Sequence, residues 1–120
     1  MTNTSTKILI VDDDRHLREL MDMLLTTNGY DVTQASNGHE ALTILKAQHF
    51  DLLLIDFMMP VLDGMELLRK LHGQIETPII MLTAVNSAEK TEELKSLGAS
   101  EVFHKPIDPE DIVNHIKQLF

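Results

Sequence analysis

The chain has 120 residues, 43% of them apolar, which is enough for the core of one ordinary domain and excludes the disordered class. It has no cysteine, so disulfides, thiolate chemistry and cysteine-type zinc sites are removed, a composition compatible with a reducing cytosol. Ten Lys and Arg against nineteen Asp and Glu give a net charge of −9, which argues against direct nucleic-acid binding, and no apolar stretch approaches the ~20 residues of a membrane span.

Residues 1–6 read as a polar extension without the apolar segment of a signal peptide, and the folded domain is expected over residues 7–120. Lys7–Val11 is the first predicted strand, and it ends abruptly in Asp12-Asp13-Asp14. From about Arg15 to Asn28, Leu17, Leu20, Met21, Leu24 and Leu25 fall at helical spacing, with Gly29 as the stop. Asp31–Ala35 is the second strand, and Asn37, three residues before Glu40, opens the second helix in the pattern of a capping box. The third strand, Leu52–Ile55, ends in Asp56; Asp63 then precedes Glu66 as the next cap. The fourth strand, Ile79–Leu82, is followed by Thr83, and Asn86 precedes Glu89 at the start of a helix that Gly98 closes. Val102–His104 is the fifth strand, followed by Lys105, and Asp108-Pro109 begins a last helix that runs to about Leu119.

Strand and helix thus alternate five times, and three strands are almost continuously apolar, as parallel strands covered on both faces are. The prediction is an α/β domain with right-handed crossovers and an open, doubly wound five-stranded parallel sheet; an eight-stranded barrel would not fit. In such sheets ligands bind beyond the carboxyl ends of the strands. Asp12, Asp13, Asp56, Thr83 and Lys105 all lie there. Crowded carboxylates call for a cation, a raised pKa or both, and hard oxygen donors without His or Cys suit Mg²⁺, for which two carboxylates plus a backbone carbonyl suffice. A carboxylate such as Asp56 is also a competent nucleophile towards phosphorus, with Lys105 and the Thr83 hydroxyl to neutralise phosphoryl oxygens.

The segments ILIVDDD, LLLIDFMMPVLDGMELL, IIMLTA and GASEVFHKP, in this order and at these spacings, resemble the receiver domain of bacterial two-component response regulators from Lys7 to Phe120. The resemblance implies a flavodoxin-like (βα)5 sheet of strand order 2-1-3-4-5. It makes Asp56 the phosphoacceptor, Asp13 a direct ligand of Mg²⁺ (for which Mn²⁺ can substitute), Asp12 a ligand acting largely through water, and the Met58 carbonyl the third protein ligand. It makes Thr83 the switch hydroxyl and Lys105 the phosphoryl counter-charge, with Lys105-Pro106 a cis peptide and Ala84 the small residue leaving room for the phosphoryl group. The implied partners are a sensor histidine kinase or phosphotransfer protein and an unidentified output domain or downstream protein. The implied location is the cytoplasm, and the implied assembly is a monomer or phosphorylation-promoted dimer. Phosphorylation then switches the surface formed by helix four, strand five and helix five.

Three positions depart from the family pattern. Val102 stands where an aromatic ring often swings inward, with Phe103 expected to face the other way. Met58 and Val85 flank the position of the hydrolytic water, and neither can orient it by hydrogen bonding, so the Asp56 phosphate is expected to be long-lived. Blander readings hold elsewhere: Asp14 and Asp63 as helix caps, Gly64 as backbone permissiveness, Met23 as a solitary exposed apolar residue, and six histidines without ligand spacing. A haloacid-dehalogenase-like phosphatase using Asp12 is the alternative, since Asp12-Asp13-Asp14 contains D-x-D, but it leaves Asp56 unexplained. A flavodoxin-like electron carrier is disfavoured because three aspartates would repel a phosphate-bearing cofactor.

Overall fold

A computed structural model describes residues 6–57, 63–84 and 87–120. Its elements alternate as β1 (Lys7–Val11), α1 (Arg15–Thr27), β2 (Asp31–Ala35), α2 (Gly38–Ala47), β3 (Leu52–Asp56), α3 (Gly64–Leu71), β4 (Ile79–Thr83), α4 (Ala88–Ser96), β5 (Glu101–His104) and α5 (Pro109–Leu119). All strand pairs are parallel, in the order β2-β1-β3-β4-β5 expected from the resemblance. Asp56 and Thr83 are the last residues of their strands rather than the first beyond them, because Asp56 still pairs with Leu82 and Thr83 with His104.

Side chains that alternate along each strand sort onto the two faces of the sheet. Ile8, Ile10, Leu52, Leu54, Ile80 and Leu82 bury against Met21 and Leu25 of α1 and Ile112, Val113 and Ile116 of α5. Leu9, Val11, Leu53, Ile55, Ile79 and Met81 bury against α2, α3 and α4 through Ala41, Leu67, Leu68 and Leu94. Each fully buried aliphatic side chain stabilises by roughly 1.5–3 kcal/mol. The surface ion pair Arg15–Glu19, exposed on both sides, is worth far less. The core therefore fixes the sheet, and the sheet fixes its carboxyl edge.

Helix starts follow the caps. Asp14 accepts hydrogen bonds from the amides of His16 and Leu17, Asn37 from Glu40, Asp63 from Glu66, and Asp108 from Glu110. Two details differ from the sequence reading. The cap of α4 is Ser87, which accepts from the Lys90 amide, and not Asn86, which lies outside the described residues. The return leg at α2 runs from Glu40 to the amide of Ser36 rather than to that of Asn37. Gly29 and Gly98 have positive φ at the ends of α1 and α4, as expected of stops.

Candidate functional site

The sheet order reverses between β1 and β3, and the carboxylates of the site lie at the carboxyl ends of these two strands. The carboxylate oxygens of Asp12, Asp13 and Asp56 can lie within 4.8 Å of one another, a spacing that could hold a metal ion. Asp12 and Asp56 are each 3% exposed and Thr83 is 1% exposed, whereas Asp13 is open to solvent. Lys105, just beyond β5, reaches across β4 to place Nζ 2.6 Å from Asp56 Oδ1. Its backbone amide donates to the Thr83 carbonyl at 2.7 Å, so these two residues are joined through the main chain. Lys105-Pro106 is cis.

Crowding is visible in the acidities. Burial pushes the Asp12 carboxyl up to about 6, further helped by the negative charges of Asp56 and Asp13, while the Asp14 amide and Lys105 oppose the rise. Burial also raises Asp56, and Lys105 offsets only part of that. Burial alone would lower Lys105, but its hydrogen bond to Asp56 and the charges of all three carboxylates hold it above the ordinary lysine value. One ammonium facing two buried carboxylates and the exposed Asp13 satisfies itself before it satisfies them. The site is left with excess negative charge that a cation would relieve.

The β1–α1 loop is braced. Asp12 Oδ1 accepts from the Asp14 amide at 2.9 Å, and the Asp12 amide donates to Ala35 O at 3.1 Å. Arg18 Nη1 donates to the Asp12 carbonyl at 2.9 Å. At the end of β3 the Gly64 amide donates to Phe57 O at 2.9 Å. A Cβ on Gly64 would stand 2.6 Å from the Asp56 carbonyl oxygen and 2.7 Å from Phe57 Cα. This glycine therefore serves close approach of two backbones, which corrects its reading as permissiveness. On β5, Val102 packs towards α2–α4 and Phe103 towards α1 and α5, where its ring meets His115 edge-on at 5.2 Å. His104 Nε2 lies 3.1 Å from Thr91 Oγ1 of α4. Ala84 and Lys105 border a groove of about 530 Å³ that opens between the starts of α1 and α5.

The structure thus brings together Asp12, Asp13, Asp56, Thr83, Ala84 and Lys105, and it places Val102 on the α4 side of β5. Met58 and Val85 lie outside the described residues. Sequence reasoning missed Arg18 and the close contact at Gly64. A hydrogen bond to a main-chain carbonyl leaves no pattern in a sequence, whereas the glycine directly after a cap and near Asp56 did carry a signal.

The family model described as the response regulator receiver domain matches residues 8–117. The chain belongs to this family. Among relatives of the receiver domain, the transcriptional regulatory protein ResD of Bacillus subtilis is 38% identical over 95% of the chain and 48% of its own length. A probable transcriptional regulator, ycf27, of Porphyra purpurea is 37% identical over 99% of the chain and 49% of its own length. The chain therefore spans about half the length of the curated relatives it matches. Among solved structures, the receiver domain of Francisella response regulator 1452 superposes with a TM-score of 0.90 at 34% identity, covering 96% of each chain. The chemotaxis response regulator CheY4 of Vibrio cholerae does so with 0.89 at 35%, covering 98% of this chain and all of its own. Membership selects the receiver reading over the phosphatase and electron-carrier ones. Among the described residues no helix is long and apolar enough to cross a membrane.

Proposed function

We propose that this receiver domain takes a phosphoryl group onto Asp56 from a phosphohistidine of a sensor histidine kinase or phosphotransfer protein, and itself catalyses the transfer. The observation that carries this reading is the buried Asp56 carboxylate, 2.6 Å from Lys105 Nζ within a three-carboxylate cluster beside Thr83. In the transfer a carboxylate oxygen of Asp56 forms the bond to phosphorus. The P–N bond of the donor breaks, and the imidazole leaves with the electron pair and takes up a proton. Lys105 Nζ and the Thr83 hydroxyl then bind phosphoryl oxygens, and the small side chain of Ala84 leaves room for them.

The donors of the cluster fit Mg²⁺, with Mn²⁺ able to substitute, because they are all hard oxygens at a single strand edge. Asp12, Asp13 and Asp56 would hold the ion, together with the Met58 carbonyl. When bound, it neutralises the charge of the phosphoryl group. The residues 1–6 then act as an extension of a receiver domain over 7–120. The added charge draws Thr83 and Lys105 together, and the movement passes to α4, β5 and α5. No ring stands at Val102 to follow it. The His104–Thr91 contact is a side-chain link from β5 to α4 that such movement meets. Relatives twice as long, named as transcriptional regulators, support an output domain or downstream partner; the proposed location is the cytoplasm, and the proposed assembly is a monomer or phosphorylation-promoted dimer.

Incubation with acetyl phosphate and Mg²⁺ should add one phosphoryl group by intact-mass spectrometry, and peptide mapping should place it on Asp56. Asp56→Asn should abolish it; label on Asp12, or none on the wild-type chain, would overturn the reading. Because Met58 and Val85 offer no hydrogen bond to a hydrolytic water, the phosphate should outlast a wash on the scale of minutes. Replacing Met58 by Asn should shorten its lifetime, and loss of wild-type label within seconds would contradict the expectation.

A further inference from the structure

Among the described residues, one cation beside this site has no role in the proposed transfer: Arg18. It stands one helical turn into α1, half-buried, and is not among the carboxylate partners. Its Nη1 donates to the main-chain carbonyl of Asp12 at 2.9 Å, and its Nε donates to Oε1 of Gln34 on β2 at 3.0 Å. Gln34 Nε2 in turn donates to Asp22 Oδ2 of α1 at 2.6 Å, and Asp22 Oδ1 accepts from Thr26 Oγ1 at 2.8 Å. The guanidinium is thereby held from behind by two elements while it holds the loop in front.

We propose that Arg18 is a positioning residue for the acidic pair, setting the direction of Asp13 relative to Asp12. The inference rests on the proposed function of the site. The Asp12 carbonyl belongs to the planar peptide that joins Asp12 to Asp13. Fixing that oxygen fixes the plane, and with it the direction in which Asp13 leaves the chain. The Asp12 side chain has its own tether in the Asp14 amide. The exposed Asp13 takes its direction from the peptide that Arg18 grips. Arginine suits the task because its planar fork donates in two directions at once, to Asp12 through Nη1 and to Gln34 through Nε. Lysine can make either bond but not both in this geometry. Among the described contacts, the side chain of Gln34 reaches the acidic pair through Arg18.

The test is Mg²⁺ binding to the whole chain by calorimetry, for wild type, Arg18→Met, Arg18→Lys and Gln34→Leu, well below each melting temperature. Outer-shell partners of a metal site typically change its affinity by about tenfold or more when removed. Arg18→Met should weaken Mg²⁺ about tenfold, Arg18→Lys should recover part of the loss, and Gln34→Leu should shift the affinity in the same direction but less. The double variant Arg18→Met/Gln34→Leu should be no weaker than Arg18→Met alone. Labelling from acetyl phosphate should need more Mg²⁺ for half-maximal rate, with the rate at saturating Mg²⁺ nearly retained. In the metal-free chain, amide exchange at Asp13 should accelerate in Arg18→Met. A residue that only joins α1 to β2 would lower stability and leave Mg²⁺ affinity unchanged, and that result in either Arg18 variant overturns the inference while leaving the proposed function intact. A wild-type chain that binds no Mg²⁺ overturns both.

Discussion

At the scale of single residues, Asp12 is the group the fold tolerates least. It is 3% exposed, and burial lifts its carboxyl from 3.8 to about 6. A carboxyl whose folded pKa lies above its unfolded value favours the fold while protonated, and that advantage is lost as pH rises through the folded value. The metal-free domain should therefore lose stability between pH 3.8 and about 6, by at most about 3 kcal/mol from this group. Asp12→Asn keeps the acceptor for the Asp14 amide but cannot ionise. It should melt higher than wild type at neutral pH in chelator and show a flatter profile across this window. Parallel melting curves for the two proteins would contradict the assignment. The ligands of a hard cation must be deprotonated, so under the proposed function Mg²⁺ affinity should change in the opposite sense, weakening as pH falls through this window. These candidate site residues were legible because each interrupts or ends an apolar run with a polar group, a pattern visible in one dimension. Arg18 was not legible: its partner is the oxygen of a peptide, which every residue has, and its second anchor, Gln34, lies on a different element, β2.

At the scale of elements, the register of β3 against α3 depends on Gly64. An alanine there would drive its Cβ into the Asp56 carbonyl and Phe57 Cα, both main-chain atoms that cannot swing away. Gly64→Ala should destabilise the domain by about 1–3 kcal/mol and slow labelling of Asp56, because relief requires moving the end of β3. Denaturant unfolding and labelling rates measure both, and a variant with wild-type values for each would show that the neighbouring backbone yields freely. Element positions were largely legible. Capping side chains fixed the starts of α1, α2, α3 and α5, since their oxygens answer amides that otherwise lack partners. The start of α4 was misplaced because Asn86 and Ser87 are both good caps, and only the chain's path decides which one faces the Lys90 amide. The ends of β3 and β4 were set one residue short. A change from apolar to polar reads as the end of a strand, although pairing continues through Asp56 and Thr83.

At the scale of the whole molecule, two apolar faces on one parallel sheet made the architecture readable, since only helices on both sides can cover them. The order of the strands required the family resemblance, because right-handed crossovers permit more than one order for five strands. That order has a temporal meaning. Asp12 is synthesised before Asp56 and Thr83, and Lys105 after them, yet all four meet at one edge. A chain still short of residue 105 holds its carboxylates without the Lys105 ammonium and lacks β5, the outer neighbour of β4. Fragments ending before β5 should take up no label from acetyl phosphate, whereas addition of the missing β5–α5 segment, if it docks, should restore labelling. Under the proposed function, the ability to receive a signal is acquired only as β5 joins the sheet, and a domain still lacking that strand stays deaf to a kinase.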